Sequence, residues 1–292
     1  MSTKLSRANG FTIVELLVVV GILGVILGLL LPALSSAREA SRNMASQSNI
    51  RQITNGLIAF SVGHKDEVIS SNTRRSFNAG GDVGQVTCKA WVEASPGNIY
   101  TSDEGTQFEL PSALSEGYAA PYLDNGGYQR SDATDGGIYK SPLDNSGRIR
   151  SYSLNGAVGR VPDVGFMEVL EDLDLGERYA PARSMAHVKI PGRTMYVIPE
   201  AMSYCGNPVQ YNIHGFIVNF FDPIWIDAPA FWAKDGINLS FLDGHTEFHF
   251  WANRHIDGFV QTTPTYFGGE DFDYIKSIMM PELEHLIGAD GG

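Results

Sequence analysis

Cations are the scarce commodity in this chain of 292 residues: 21 Lys and Arg stand against 33 Asp and Glu, for a formal charge of −12. A surface so short of positive charge does not suit nucleic acid, whose phosphates need one. Cysteine is scarcer still. Cys88 and Cys205 are the two cysteines, and they match no zinc or Cys-x-x-Cys spacing. In an oxidising compartment they form one long-range disulfide or remain two buried thiols, and the sequence leaves both open. No nucleophile elbow, phosphate-binding loop, Gly-x-Gly-x-x-Gly or His-Glu-x-x-His pattern is present. The seven histidines are scattered, and none has an obvious catalytic Ser or Cys partner in sequence. The expectation is a protein that is not an enzyme and carries no cofactor and no metal ion.

What charge there is falls unevenly. Residues 1–64 hold Lys4, Arg7, Arg38, Arg42 and Arg51 against Glu15 and Glu39, a balance of +3, which leaves −15 for the rest. Inside that basic segment lies one long apolar run, from Phe11 to Leu31, with Glu15 its single charge. A helix needs roughly 20 apolar residues to cross a bilayer. Lys4 and Arg7 before the run favour a cytoplasmic N-terminus.

Three readings compete for this run. A secretory signal peptide has small residues available for cleavage at Ser35 and Ala37. A plain signal anchor needs no cleavage. The third reading is a short leader followed by a retained helix. Glu15 separates them: a carboxylate in a membrane span is expensive and is kept for a partner, which neither of the first two needs. The helical pattern also runs on past Ala37. Ile50, Ile53, Leu57 and Phe60 recur on one helical stripe as far as Gly63-His64-Lys65-Asp66. A helix from Phe11 to Val62 is about 78 Å long at 1.5 Å per residue.

Gly10-Phe11-Thr12-Ile13-Val14-Glu15 followed by an apolar run resembles the prepilin cleavage and methylation signature shared by type IV pilins and type II secretion pseudopilins. The resemblance covers roughly residues 4–60. It implies that Gly10 ends the leader, that a prepilin peptidase cuts between Gly10 and Phe11, and that Phe11 is then N-methylated. It implies that Glu15 sets subunit register during assembly and that Pro32 kinks the helix. The chemistry fits those roles. Cleavage creates an α-ammonium at Phe11, and the carboxylate of one subunit can neutralise the ammonium of a neighbour in the same apolar layer. Gly21, Gly24 and Gly28 allow close helix contact, or are ordinary glycines of a membrane helix.

The expected organisation is a leader at 1–10, a transmembrane helix at 11–32, its soluble continuation at 33–64 and a globular domain at 65–292. Within the last part, Thr194–Ile198 reads as a buried strand. Ile237 to Trp251 reads as a hairpin about Asp243-Gly244. With a two-residue turn, Leu242 pairs with His245. Ile237, Leu239, Phe241, Thr246, Phe248 and Phe250 then share an apolar face, and Asn238, Ser240, His245, Glu247 and His249 a polar one. His245, Glu247 and His249 raise a zinc alternative, set against ordinary surface residues. The acidic stretch from Asp163 to Glu177 reads as a solvated segment, with a calcium loop as the sharper alternative.

Two further elements are similar to those of large pilin-like proteins. Asn238, Phe241, Asp243, Gly244 and His245 match their C-terminal Asp-Gly-His element, but Ala233 stands where they carry a histidine ten positions before the Asp. Ser141-Pro142-Leu143-Asp144 matches their Cys-Pro-x-Asp element with serine for cysteine.

The expected fold class is α+β and pilin-like, a long N-terminal transmembrane helix packed on an antiparallel β-sheet. The expected function is a structural subunit of a type II secretion pseudopilus or a type IV pilus-like filament. Its partners are prepilin peptidase with its N-methyltransferase activity, other pilin or pseudopilin subunits and inner-membrane lipid, with the globular domain in the periplasm or outside the cell. The alternative is a membrane-anchored binding protein that uses the prepilin pathway without polymerising.

Overall fold

An unbroken apolar run has no soluble partner, whereas a one-sided stripe must find one, and α1 contains both. In the computed structural model α1 spans Ile13–Gly63, about 76 Å at 1.5 Å per residue. The described residues are 12–73, 76–78, 85–94, 96–101, 107–123, 136–159, 182–201, 215–218, 220, 225, 227–252 and 268–281. From Ile13 to Leu34 the apolar side chains of α1 are exposed all round, and this helix is long and apolar enough to cross a membrane. From Ser46 onward only one face is buried: Ile50, Ile53, Leu57 and Phe60 are all 0% exposed. Each such side chain contributes about 1.5–3 kcal/mol through burial. Chain contacts divide the molecule into two units, Met1–Arg42 and Asn43–Gly292, with α1 running through the division.

Two short hairpins follow in the second unit. β1 (Ser76–Asn78) pairs antiparallel with β2 (Gln85–Thr87), and β3 (Ile99–Thr101) with β4 (Gln107–Glu109). The short helices α2 (Pro111–Glu116) and α3 (Ala120–Leu123) come next. Leu123 packs against the core. A Cβ on Gly56 would lie 2.3 Å from Leu123 Cδ2 and 2.8 Å from the Tyr122 carbonyl oxygen, so only glycine lets α3 sit this close to α1.

The main sheet has the order β5 (Tyr152–Leu154), β6 (Met195–Pro199), β7 (Gly236–Phe241), β8 (Thr246–Phe250), every pair antiparallel. Every residue of β6 and β7 is buried because both faces are covered. On one side α1 contributes the stripe that packs with Trp91, Tyr152, Leu154, Tyr196 and Val197. On the other, α4 (Glu270–Met279) brings Phe272, Ile275, Ile278 and Met279 against Met195, Ile237, Leu239 and Phe241. The register slips between Met195 and Val197, as at a bulge, so Tyr196 and Val197 both join the α1 side. The fold is α+β and pilin-like, a long apolar N-terminal helix with an antiparallel sheet.

The hairpin differs from expectation by one residue. The observed partners are Ile237 with His249, Leu239 with Glu247 and Ser240 with Thr246. Phe241 N–H donates to the His245 carbonyl at 3.1 Å and Gly244 N–H to that of Phe241 at 3.0 Å, leaving a three-residue turn, Leu242-Asp243-Gly244. Gly244 has φ +94°, the left-handed position such turns require. The shift turns β8 over. His245, Glu247 and His249 therefore share the α4-covered face with Ile237, Leu239 and Phe241, while Thr246, Phe248 and Phe250 lie with Asn238 and Ser240. The polar positions of β7 are not solvated either. Thr54 Oγ1 donates to Ser240 Oγ at 2.6 Å, and Asn238 Nδ2 to Asn43 Oδ1 at 2.6 Å.

Candidate functional site at the start of the long helix

A helix leaves its first N–H groups without intrahelical acceptors, a larger penalty in an apolar setting than in water. At the start of α1 the chain answers this itself. Glu15 N–H donates to Thr12 Oγ1 at 3.2 Å, while Glu15 Oε2 accepts the Thr12 N–H at 2.8 Å and the Thr12 hydroxyl at 2.7 Å. Leu16 N–H then donates to the Thr12 carbonyl at 3.2 Å. Thr12 is the N-cap and Glu15 the third helical residue, a reciprocal capping box. The carboxylate also lies at the positive end of the helix dipole. Around it Ile13, Val14 and Leu16 are exposed, so one anchored anion sits in an apolar surface.

Glu15, expected to pair with another subunit, has this unexpected partner within the chain. The signal was legible: Thr-x-x-Glu directly before an apolar run is a helix-start pattern. Gly10 and Phe11, the expected cleavage and methylation positions, lie outside the described residues.

Further along, a Cβ on Gly21, Gly24 or Gly28 would meet no atom within 4 Å outside its chain neighbours and the helix's own backbone. Pro32 sits inside α1, and the helix continues through it. Proline donates no N–H to the turn before it. In the turn after it, Ser35 Oγ and Ser36 Oγ both donate to the Pro32 carbonyl, at 2.8 and 2.7 Å.

The C-terminal Asp-Gly-His element is held by its own turn. Asp243 Oδ1 accepts the His245 N–H at 3.1 Å and lies 2.6 Å from His245 Nδ1, and the imidazole stacks on Phe241 at 4.3 Å. Partial burial pushes the Asp243 carboxyl up, but the His245 backbone and ring outweigh it and hold it below its usual range. Glu247 and His249 do not converge with His245 on one point. Glu247 accepts the Tyr274 hydroxyl, and His249 stacks on Tyr274 at 3.9 Å with Nε2 3.2 Å from Asp271 Oδ1. Among the described residues no group of three or more His, Cys, Asp or Glu side chains is placed to hold a metal ion. Ala233 is buried beside β7.

Ser141, the serine in the cysteine position, donates to Ser46 Oγ at 3.1 Å, and Ser46 Oγ lies 3.1 Å from the Tyr152 hydroxyl. Asp144 accepts from Arg148 Nε at 2.7 Å, Ser151 Oγ at 2.6 Å and Ser146 N–H at 2.8 Å. These contacts tie the element to α1 and to the start of β5. The Cys88 thiol is half-buried, and burial pushes its pKa up. Cys205 and the acidic stretch at 161–180 lie outside the described residues.

With this geometry in place, comparison with known proteins decides one point. Residues 5–31 match the family model of the prokaryotic N-terminal methylation motif. The match spans Gly10, Phe11, Thr12 and Glu15. It supports a prepilin-type signal at the N-terminus, and the apolar part of α1 fits the membrane anchor that such a signal precedes. Neither the curated proteins nor the solved structures contain a match to the chain.

Proposed function

We propose that this protein is a structural, non-enzymatic subunit of a type II secretion pseudopilus or a type IV pilus-like filament. In this reading prepilin peptidase cleaves it between Gly10 and Phe11 and Phe11 is N-methylated. The subunit waits in the inner membrane with its N-terminus cytoplasmic and its globular domain periplasmic. Lipid, and then neighbouring helices, cover the apolar surface of α1.

The observation that carries the proposal is the single carboxylate of Glu15, anchored by Thr12 in an otherwise apolar and exposed helix surface. A membrane anchor alone gains from Glu15 only the helix cap, which a neutral glutamine also supplies, and has no use for the charge. A filament subunit has a use for it, because the new α-ammonium of a neighbour pairs with it only in the correct axial register. Gly21, Gly24 and Gly28 are small residues of the kind that let membrane helices approach closely.

The substitution Glu15→Gln tests this in cells. The expected outcome is a processed protein retained in the membrane fraction, with assembly into sheared or cross-linked filaments lost. A membrane-anchored protein that binds a ligand without polymerising would act normally with this substitution, and that result would replace the filament reading.

A further inference from the structure

The second half of α1 lies along β7, and its contacts fix which end of the sheet is which. Asn43 meets Asn238 near the start of β7, and Thr54 meets Ser240 near its end. A Cβ on Gly244, in the turn that follows, would lie 3.5 Å from Ile58 Cδ1. β7 therefore runs the same way as α1, and β8 returns toward Asn43. On one flank of α1, Arg51 Nη2 donates to Thr246 Oγ1 at 3.0 Å, which ties that flank to the outermost strand of the sheet.

From that bond, helix and strand run to the same end, and each brings an apolar side chain out into water there. Seven residues back along α1, two turns and so on the same flank, is Met44, about 10 Å away and 70% exposed. Four residues on along β8, on the same face as Thr246, is Phe250, about 13 Å away and 69% exposed. Between them the half-buried Phe248 ring meets Phe250 edge-on at 5.0 Å. A Cβ on Gly236, the residue paired with Phe250, would come within 2.7 Å of the Phe248 ring, so the place over β7 is taken and Phe250 is left outside. Single exposed hydrophobics are ordinary on a soluble surface. This pair stands at the end of the globular unit from which the chain passes into the apolar run. The flanking charges are Arg38, Glu39 and Arg42, just before Asn43 on the chain, and Lys234 and Asp235 in the turn before β7, all exposed. Three cations against two anions make this the end that headgroup phosphates repel least, on a chain that carries −15 after residue 64.

We propose that Met44 and Phe250 rest in the headgroup layer of the bilayer that holds α1, and that this contact sets which flank of the globular unit faces the membrane. The helix supplies the reach. Leu34, the last exposed apolar side chain of the run, is ten residues before Met44, about 15 Å of helix. The headgroup layer on each side of the hydrocarbon is about 5–8 Å thick, so an upright anchor holds Met44 just clear of it. Membrane helices tilt by about 20° on average, and a tilt toward the Arg51–Thr246 flank lowers Met44 and Phe250 together. Both side chains then leave water, and an aromatic ring at the headgroup level is in its favoured membrane position. The contact rests on the membrane anchor and is independent of whether the protein polymerises.

The test uses the full chain in phosphatidylcholine vesicles, with Cys88→Ser and Cys205→Ser, and a fluorophore attached at Met44→Cys, Val62→Cys or Val19→Cys in turn. Lipid carrying a nitroxide near its headgroup, and iodide in the water, are the two quenchers. The Met44→Cys label is expected to be quenched by the lipid and shielded from iodide. The Val62→Cys label, 76% exposed at the other end of the packed half of α1, is expected to show the reverse. Adding Phe250→Ser is expected to reduce lipid quenching of the Met44→Cys label about tenfold, on the scale of one apolar side chain returned to water, with circular dichroism unchanged. Val19→Cys reads the anchor separately, and its label is expected to be reached by lipid nitroxide alone. With Val19→Cys in lipid, iodide reaching Met44→Cys as freely as Val62→Cys, or an unaltered signal with Phe250→Ser, would overturn the contact and leave the anchor standing. Shielding from iodide without lipid quenching would give the face to a second copy of the chain and would also overturn it. A Val19→Cys label outside the lipid would overturn the anchor and the contact with it.

Discussion

Arg150 forks onto Glu109 through Nε and Nη2 at 2.8–3.0 Å, with both side chains 3% exposed and the guanidinium 5.2 Å from the Trp91 ring. This pair fastens β4 to the start of β5, and its two charges satisfy each other where water cannot. Glu109→Gln removes the carboxylate onto which the buried guanidinium forks, and urea unfolding should show a loss of about 3–5 kcal/mol. Asp144 gives a pH signature. Burial alone would push its carboxyl up, but Arg148 and the donors on Ser151 and Ser146 outweigh that and hold it below the usual carboxylate range. A lowered folded value means that the stabilisation is complete above the unfolded value of about 4 and is lost as pH falls through the folded value. The urea midpoint should therefore drop on acidification below about pH 4, and Asp144→Asn should be less stable at neutral pH with a flatter acid limb. None of this was legible in the sequence. Glu109 and Arg150 are 41 positions apart, and no local pattern marks a pair formed by folding.

Among the elements, α1 was the easiest to read. Its stripe is local, and burial followed the period: Ile50, Ile53, Leu57 and Phe60 all lie in the core. Leu57→Ala should cost about 2–5 kcal/mol in urea unfolding, with the membrane anchor unaffected because the Ile13 to Leu34 surface is untouched. The end of α1 at Gly63 and strand β6 were also visible, because each is announced by its own residues. The β7–β8 hairpin was visible as an element but not in register. Asp-Gly suits a two-residue turn, yet Leu242 belongs to the core and enters the turn as its first residue. Alternation alone did not expose the error, since either register gives β8 one aromatic face. What decides is a long-range fact: Asn238 and Ser240 are buried by bonding to Asn43 and Thr54 of α1. A rule that sends polar residues to water cannot anticipate that.

At the scale of the molecule, two chemistries share one chain. A positive, apolar first segment needs lipid or other helices, and an acidic globular unit folds around the second half of the same helix. The charge asymmetry and the apolar run were readable from composition; the prepilin pathway is implied by the resemblance of residues 10–15 to the prepilin signature, which the match at residues 5–31 supports. The Thr12–Glu15 capping box adds a local reason why those two residue types begin the helix. The measurement that tests the account most directly is the intact mass and N-terminal sequence of the protein taken from its native membranes. The account predicts a chain that begins at Phe11 and carries one additional methyl group. A chain beginning near Arg38, or one that keeps the leader, would contradict it.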